Sequence, residues 1–344
     1  MMKYICLLLT FCLALPQPAL AENLITPKEH QRGVEQTYLT FPEWFLVFSP
    51  AEYAAYVKDK DPSGFPFLRH VGQFWGSYGA VYKATKEKYP MNWGYHIMIM
   101  VIGTSTTLEY GLKSAYENTI GRVSGLTRTH GMTEEDVLAA NVAQDYVDFI
   151  NVTPWYEYNF SGKLKEVWTK THFRGNDAIR KWERKYALTT EYGIKAGYGW
   201  IIKKLTKMSY ETPSLVTAVV VDTLPQDTQT LPELKILKTL PNGGALVTVP
   251  RYAAFTHYAS ELAKQGIHFR EIAGNTVDKP ILVSIIVPSD WQATSEKSPL
   301  LFEQQIITQT NKKRIVLEAT VGTLHEVLLH FSEAPFHVEH VFDY

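Results

Sequence analysis

Cysteine is nearly absent from this sequence: Cys6 and Cys12 are the only two among 344 residues. Both lie within the first 21 residues, a segment that predicts a secretory signal peptide and would be removed on export. The remaining chain would then contain no disulfide, no thiolate nucleophile and no thiolate metal site. An exported protein without disulfides is more typical of a bacterial envelope than of an animal secretory pathway.

Three features of the N-terminus predict the signal peptide. Residues 1–3 provide a short basic start, residues 4–15 are almost wholly apolar, and Ala19-Leu20-Ala21 has the small-residue spacing of a cleavage site. The apolar stretch is too short to span a bilayer. We predict cleavage after Ala21 and a mature protein in the periplasm or cell envelope, with peripheral attachment to a membrane as one alternative.

An excess of charge of either sign is also lacking. The chain carries 34 Lys and Arg against 35 Asp and Glu, a formal net charge of −1 at pH 7, which argues against a nucleic-acid partner. The sequence has no glycine-rich phosphate loop, no nucleophile elbow and no zincin motif. His325 and His330 are five residues apart and would point in directions about 140° apart on a helix. We therefore predict no metal site and identify no catalytic residue.

The periodicity of apolar residues divides the mature chain into a helical domain over residues 22–211 and an α+β domain over residues 212–344. In the first half, apolar spacings of three and four residues are typical of helices. We predict one helix start at Ser49, where Ser49-Pro50-Ala51-Glu52 matches a capping box, and another at Thr133. Further helices are predicted over residues 68–88, 93–122 and 177–208.

The second half has the patterns of strands and short helices. Residues 215–221 are rich in β-branched residues, and Pro241-Asn242-Gly243-Gly244 is good hairpin chemistry. Helices are predicted over residues 252–265 and 323–332, with strands over residues 234–240, 245–249, 268–273, 281–287, 303–309, 314–321 and 336–342. Helices packed on a largely antiparallel sheet would give a layer that resembles a ferredoxin-like plait with an inserted hairpin. No internal repeat is evident in the sequence.

The helix predicted to begin at Trp93 contains candidate ligand-binding residues. His96 and Met100 lie four residues apart on one face of an otherwise apolar stretch, a spacing that could offer a nitrogen–sulfur pair to copper or haem iron. We name Trp93, His96, Met100 and Glu109 as a candidate ligand site whose cofactor is unknown. The alternatives are core packing of His96 and Met100 and a simple ion pair between Glu109 and Lys113.

Aromatic residues are concentrated in the first half of the mature chain. Seven of the eight tryptophans lie within residues 22–211. Trp and Tyr combine a large apolar body with one polar tip, which suits a hydrophobic ligand pocket or a membrane interface. A thick aromatic core is the alternative.

Positive charge is concentrated between Lys163 and Lys207, where twelve Lys and Arg residues face four Asp and Glu residues. An apolar stripe follows the same predicted helix at residues 194, 198, 201, 205 and 208, and the nearby lysines lie away from it. Such a helix can rest on an anionic bilayer. The candidate membrane-surface residues are Lys195, Lys203, Lys204 and Lys207. The alternative is that the stripe packs against other helices and the lysines face water.

These patterns predict an exported envelope protein without catalytic activity, whose helical domain binds a hydrophobic small molecule or an anionic lipid surface. One alternative is a metal- or cofactor-dependent enzyme centred on the helix that begins at Trp93. A second alternative is a structural subunit that binds a protein partner.

Overall fold

A computed structural model describes residues 24–209, 215–293 and 298–344 of the chain, without the side chains of residues 205–209. The predicted signal peptide, with Cys6 and Cys12, lies outside the described residues, and so does the predicted domain boundary near residue 212. Within the described ranges, helices occur together with two antiparallel sheets. The prediction of an α+β protein is therefore confirmed.

Helices account for most of the chain up to residue 209. They are α1 (Gln36–Val57), α2 (Phe67–Thr85), α3 (Trp93–Tyr116), α4 (Arg122–Leu126), α5 (Glu134–Ile150), α6 (Phe160–Thr169) and α7 (Ala178–Ser209). A π-helical segment, Glu117–Gly121, joins α3 to α4. Short 3-10 helices lie at Lys28–His30, Pro62–Gly64 and Trp155–Glu157.

Strands dominate the chain from residue 216 onward. They are β1 (Val216–Val221), β2 (Lys235–Thr239), β3 (Ala245–Pro250), β4 (Phe269–Ile272), β5 (Asn275–Thr276), β6 (Pro280–Pro288), β7 (Leu300–Gln305), β8 (Lys312–Thr320) and β9 (His337–Phe342). Helix α8 (Ala253–Lys264) precedes β4, and a 3-10 turn, Val321–Thr323, leads into α9 (Leu324–His330). Each strand and helix predicted in this half is present with ends shifted by at most two residues, except that the strand predicted over residues 303–309 lies at Leu300–Gln305.

The helix start predicted at Ser49 is wrong. Helix α1 already begins at Gln36 and passes through Pro50 without ending. Instead of capping a helix, the Ser49 hydroxyl lies 2.9 Å from His70 Nδ1 and 2.8 Å from the Tyr110 hydroxyl. The capping-box pattern fails here because the serine side chain forms hydrogen bonds with buried polar groups of other helices instead.

The helix start predicted at Thr133 is confirmed. The Thr133 hydroxyl accepts a hydrogen bond from the backbone N–H of Asp136 at 3.2 Å, and the Asp136 carboxylate accepts one from the backbone N–H of Thr133 at 3.1 Å. This reciprocal capping box starts α5. It also fixes three carboxylates, of Glu134, Glu135 and Asp136, in the first turn of that helix.

The chain forms two compact units. The strand unit comprises residues 1–43, 75–100 and 213–344, and the helical unit comprises residues 44–74 and 101–212; residues 1–23, 210–214 and 294–297 of these ranges lie outside the description. Helices α1, α2 and α3 contribute residues to both units. The division of the sequence into residues 22–211 and 212–344 stays a prediction.

Two antiparallel sheets of the strand unit share one strand order. The first sheet has the order β2-β3-β1-β4-β5, and the second has the order β7-β8-β6-β9. Along the chain, each sheet is built from three strands, a helix and a fourth strand: β1-β2-β3-α8-β4 and then β6-β7-β8-α9-β9. If the strands are counted within each half, both sheets have the order 2-3-1-4, and β5 is an addition to the first.

The irregularities of the two sheets fall at the same register. The pairing of β1 with β4 shifts after Val220, and the pairing of β6 with β9 shifts after Ser284. The shift between β2 and β3 lies at Leu246, the partner of Val220. The shift between β7 and β8 lies at Val316, the partner of Ser284. Matching order and matching bulges make the strand unit two copies of one βββαβ arrangement, although the sequence shows no repeat.

One apolar core joins both sheets and both helices of the strand unit. It includes Val219 and Val247 of the first sheet and Val283 and Ile315 of the second, all with 0 % exposure. The N-terminal residues are tied to this unit by hydrogen bonds. The Thr37 hydroxyl donates to the carbonyl oxygen of Phe342 at 2.7 Å and accepts from the backbone N–H of Leu282 at 2.9 Å.

The helical unit has smaller cores that are rich in aromatic residues. One is formed by Phe65, Phe67 and Tyr110, and another by Val142, Tyr158, Phe160, Val167, Leu188 and Tyr192. None of the helices in the described part of the chain combines the length and the apolar character that a membrane crossing requires.

Candidate functional site

Helix α7 has the reverse of the usual polarity of a surface helix. A surface helix normally buries its apolar residues and exposes its charged ones. Every exposed residue of α7 between Ala178 and Ile201 is uncharged. The exposed face carries large side chains whose exposure ranges from 38 % to 65 %: Ile179, Trp182, Tyr186, Ile194, Tyr198, Trp200 and Ile201.

The buried face of α7 carries cations. Arg180, Lys181, Arg184 and Lys185 are between 0 % and 5 % exposed. A buried cation without a partner is very costly, so each of these side chains needs a carboxylate or a carbonyl within reach. Other helices and turns of the helical unit supply those groups.

Arg180 lies at the centre of the buried ion pairs. Its guanidinium donates to Asp136 Oδ1 at 2.8 Å, to Asp61 Oδ2 at 2.9 Å and to Glu183 Oε2 at 3.3 Å. A further N–H donates to the carbonyl oxygen of Gly121 at 3.1 Å. This fully buried side chain thus donates to three carboxylates, to the Gly121 carbonyl and to the Ser124 hydroxyl.

The π-helical segment makes room for this network. Gly121 ends the π-helix, and its carbonyl oxygen accepts from Arg180. A Cβ atom at Gly121 would collide with the Glu117 carboxylate. That carboxylate binds Arg184 in the bidentate manner, with N–O distances of 2.9 and 3.0 Å. Glycine at this position therefore lets α3 and α7 approach closely enough to exchange charged hydrogen bonds.

A second group of ion pairs lies nearer the middle of α7. Lys113 pairs with Glu109 at 3.2 Å and with Glu191 at 2.8 Å, and Lys195 pairs with the same two carboxylates at 3.0 Å each. The four side chains form a closed ring of alternating charge between α3 and α7. Burial alone would raise the pKa of Glu191, but Lys113 and Lys195 outweigh it and lower the pKa to about 2.

A third group involves the capped start of α5. Lys185 Nζ lies 3.1 Å from Glu135 Oε1, and Lys181 Nζ lies 2.9 Å from Glu134 Oε2. The capping box at Thr133 holds these carboxylates in the first helical turn, where the positive end of the helix dipole stabilises their negative charge. The inner face of α7 is thus neutralised by acids of other helices and turns together with Glu183 and Glu191 of α7 itself.

A narrow cleft borders the ion pairs. It has a volume of about 30 Å³ and is lined by Tyr53, Asp61, Glu117, Arg128, Asp136, Arg184 and Glu191, among others. Roughly 10–15 Å³ suffices for one water molecule, so this cleft accommodates about two waters. Binding sites for organic ligands are typically on the order of 300–1,000 Å³.

An exposed aromatic cluster lies on the outer side of the helical unit. Trp168, Phe173 and Trp182 have ring centroids 5.8 to 6.4 Å apart and are 39 %, 51 % and 47 % exposed. Lys185 Nζ lies 5.3 Å from the centroid of Phe173, on the protein side of the cluster. Three large rings that touch one another while remaining half exposed indicate a surface built for contact.

The part of α3 in the helical unit, with α4, has a similar outer face. Arg122 is the one charged residue among the exposed residues between positions 101 and 126. The large exposed apolar residues are Val101, Leu108, Leu112, Ile120, Val123 and Leu126, with exposures from 54 % to 82 %. Contacts between α3 and α7 therefore include buried ion pairs, while many of the large apolar side chains of both helices remain exposed.

The four candidate ligand residues all lie on α3. Trp93, His96 and Met100 belong to the strand unit, and Glu109 belongs to the helical unit. His96 is 5 % exposed, with Nδ1 3.0 Å from the Tyr78 hydroxyl, whereas Met100 is 45 % exposed and Trp93 is 59 % exposed. The pocket next to His96 has a volume of about 10 Å³. Glu109 lies in the ring of ion pairs with Lys113 and Lys195.

The candidate membrane-surface lysines have different surroundings. Lys195 is held in the ion-pair ring, and Lys203 pairs with Glu157. Lys204 is exposed, and its Nζ lies 5.1 Å from the centroid of the Trp200 ring. The side chain of Lys207 lies outside the description. Of the three candidate lysines whose side chains the structure describes, Lys204 is the one that combines exposure with the absence of a carboxylate partner in the described residues.

A serine, a histidine and a glutamate also meet inside the helical unit. His70 Nδ1 lies 2.9 Å from Ser49 Oγ, and His70 Nε2 lies 3.6 Å from Glu52 Oε2. This order of groups is that of a nucleophile, a base and an orienting carboxylate. However, Ser49 is 1 % exposed and His70 is 0 % exposed, and neither lines the cleft beside Arg184. The group is an interior hydrogen-bond network.

Within the described ranges, no group of three or more His, Cys, Asp or Glu residues is arranged to hold a metal ion. Comparison with protein-family models, with curated proteins and with solved structures finds no match for this chain.

Sequence reasoning missed the ion pairs of Arg180 and Arg184 and the aromatic cluster at Trp182. The signal that could have revealed them is a double stripe on α7. Cations recur at spacings of three and four, and Ile179, Trp182 and Tyr186 recur at the same spacings on the other side. A helix with two such stripes has either its charges or its apolar residues facing inward.

Proposed function

We propose that this chain is an exported, non-catalytic envelope protein that binds the surface of a lipid membrane through the outer face of its helical unit. The observation that carries the proposal is the polarity of α7, whose exposed residues between positions 178 and 201 include no charge. Soluble proteins rarely leave a contiguous apolar surface of this kind open to water, and such surfaces are typical of membrane or protein contacts.

The composition of the face favours lipid. It combines isoleucine with tryptophan and tyrosine, which prefer the boundary between headgroups and acyl chains. The aromatic cluster at Trp168, Phe173 and Trp182 adds half-exposed rings to the same side of the unit. An amphipathic helix in the membrane plane buries its apolar face in this boundary region.

The pocket volumes favour binding at an exposed surface rather than binding of a small molecule in an enclosed pocket. The cleft beside Arg184 and the pocket beside His96 have volumes of about 30 and 10 Å³. Both are far below the roughly 300 Å³ at which sites for organic ligands begin. Export to the envelope remains part of the proposal and rests on the three-part pattern of residues 1–21.

We also propose that each sheet of the strand unit is a reduced ferredoxin-like plait that serves as a docking module. The strand order 2-3-1-4 with antiparallel neighbours supports this relation. The βαββαβ pattern has a helix between its first two strands, whereas here residues 222–234 connect β1 to β2 without an α-helix.

Vesicle flotation tests the proposed function. Protein is mixed with vesicles of phosphatidylethanolamine and phosphatidylglycerol, and the floated fraction is measured for the parent and for the double variant Ile179→Gln, Ile194→Gln. We expect the parent to float and the variant to lose at least about tenfold in partitioning, because two large apolar side chains no longer enter the membrane.

A matched control uses an exposed apolar residue of the strand unit. Leu329 is 43 % exposed on α9, and Leu329→Gln should leave flotation unchanged. If the parent protein stays unbound at low salt, the proposal fails. If it instead forms a dimer in light scattering that the double variant abolishes, the face is a contact between copies of the chain.

A further inference from the structure

We propose that α7 lies flat in the headgroup region of an anionic membrane, with Arg174 and Lys204 binding lipid phosphates at its two ends. The inference rests on the proposed function and adds an orientation and a lipid class. It follows from where the unpaired cations lie relative to the uncharged face.

Cations without carboxylate partners flank the uncharged face of α7. Arg174 and Lys204 are both exposed, and neither forms an ion pair within the described residues. Arg174 follows Phe173, whose ring packs on Trp182 of the outer face at a centroid distance of 5.8 Å. Lys204 lies three residues beyond Ile201 on the same side of the helix. Each end of the face therefore offers one exposed cation without a carboxylate partner in the described residues.

Paired cations nearby provide a contrast. Lys203 is neighbour to Lys204 but binds Glu157, and Lys163 binds Asp145 at 2.8 Å. A cation already neutralised by a carboxylate attracts a phosphate weakly. If anionic lipid is recognised by charge, Arg174 and Lys204 should matter far more than Lys163 and Lys203.

The length of the face favours the flat orientation. Helix α7 rises about 1.5 Å per residue, so positions 178 and 204 are about 39 Å apart. Free cations at both ends can contact phosphates of one leaflet only if the helix axis is parallel to the membrane plane. Ile179, Ile194 and Ile201 lie within about 60° of one another around the axis, so in this orientation they reach similar depths.

Two experiments test the inference. The first compares Arg174→Gln, Lys204→Gln with the matched double variant Lys163→Gln, Lys203→Gln, which removes the same formal charge. On vesicles with phosphatidylglycerol, the first variant should lose about 30-fold in partitioning and the second less than about threefold, since a free basic residue contributes roughly fivefold. On phosphatidylcholine vesicles both should match the parent.

The second experiment measures depth. Single cysteines replace Ile179, Ile194 and Ile201 in a chain with Cys6→Ser and Cys12→Ser, and attached spin labels report their exposure to oxygen and to a water-soluble nickel complex. Equal depths support the flat orientation. Depths graded along the helix, or equal losses in the two charge variants, overturn it while leaving membrane binding intact. Absence of binding by the parent overturns both proposals.

Discussion

The two units of this protein bury different kinds of side chains. In the strand unit, most buried side chains are apolar, as in β1, where Val219, Val220 and Val221 are all 0 % exposed, and buried charged residues such as Arg314 and Glu271 are the minority. In the helical unit, the buried face of α7 carries Arg180, Lys181, Arg184 and Lys185, and most of its large apolar residues face outward, although Leu188 and Tyr192 are buried. Apolar periodicity therefore identifies which residues share a face of a helix or strand, but it does not determine which face is buried.

The difference has an energetic consequence. Burial of apolar surface stabilises a fold by roughly 25 cal/mol per Å², whereas buried ion pairs roughly offset their own desolvation. A helix that buries its charges therefore gains little from doing so and leaves its apolar area unused within the chain. Binding of a membrane would use that area.

The largest expected effect comes from removing the central cation of the helical unit. Arg180→Met would leave the buried carboxylate of Asp136 without its main partner and would remove one partner each from Asp61 and Glu183. We expect a loss of about 3–5 kcal/mol in the free energy of unfolding, measured by urea denaturation at pH 7. Lys170→Met is the control, because Lys170 makes an exposed pair with Glu166 and should change stability by less than about 0.5 kcal/mol. Similar losses in the two variants would contradict the account of α7.

The strands were predictable and the ion pairs were not, for physical reasons. Strands β1 and β6 are short runs of β-branched and apolar residues bounded by turn residues, a local signal. The partners of Arg180 lie 44 and 119 positions away in the sequence, so no local pattern pairs them. The stripe at Ile194, Tyr198 and Ile201 was recognisable from its spacing, but its exposure depends on those distant carboxylates.

A smaller effect, with a pH dependence, is expected for the ion-pair ring. The two lysines lower the pKa of Glu191 to about 2, from an ordinary value of 4.5. Its ionised form is therefore favoured by folding: the stabilisation is complete above about pH 4.5 and is lost as the pH falls towards 2. Glu191→Gln should cost about 2 kcal/mol at pH 7 and almost nothing at pH 2. A cost that does not depend on pH would show that the charge of Glu191 is not what stabilises the ring.

The strand unit offers a carboxylate with the opposite dependence. Burial raises the pKa of Glu43 to about 7, against the opposing effects of the Tyr95 hydroxyl, 3.0 Å away, and of Arg251. Folding then favours the protonated form, so stability is lost as the pH rises from about 4.5 to about 7. Because the side chain is partly exposed, Glu43→Gln should stabilise the protein by only about 1–2 kcal/mol at pH 8. At pH 4 the substitution should have no effect on stability. Stability curves for parent and variant that run parallel between pH 4 and pH 8 would refute this difference between the units.

The smallest effect on stability is expected at the end of α7. The triple variant Lys203→Gln, Lys204→Gln, Lys207→Gln should change the free energy of unfolding by less than about 0.5 kcal/mol, because Lys204 is exposed and Lys203 is partly exposed. Its binding to anionic vesicles should weaken, and added salt should weaken parent binding in the same way through screening. Thermal melts and flotation of the same samples separate the two effects; unchanged flotation would exclude these lysines from lipid contact.

The central claim, that the apolar face of α7 is open in solution and covered by lipid, is tested most directly by thiol labelling. Ile194→Cys, in a chain with Cys6→Ser and Cys12→Ser, is treated with a water-soluble maleimide with and without phosphatidylglycerol vesicles, and Lys170→Cys serves as the exposed control. We predict rapid labelling of both cysteines in solution, and at least tenfold slower labelling of the cysteine at position 194 alone once vesicles are added. Slow labelling at position 194 without vesicles, or an equal rate with and without them, would contradict the account.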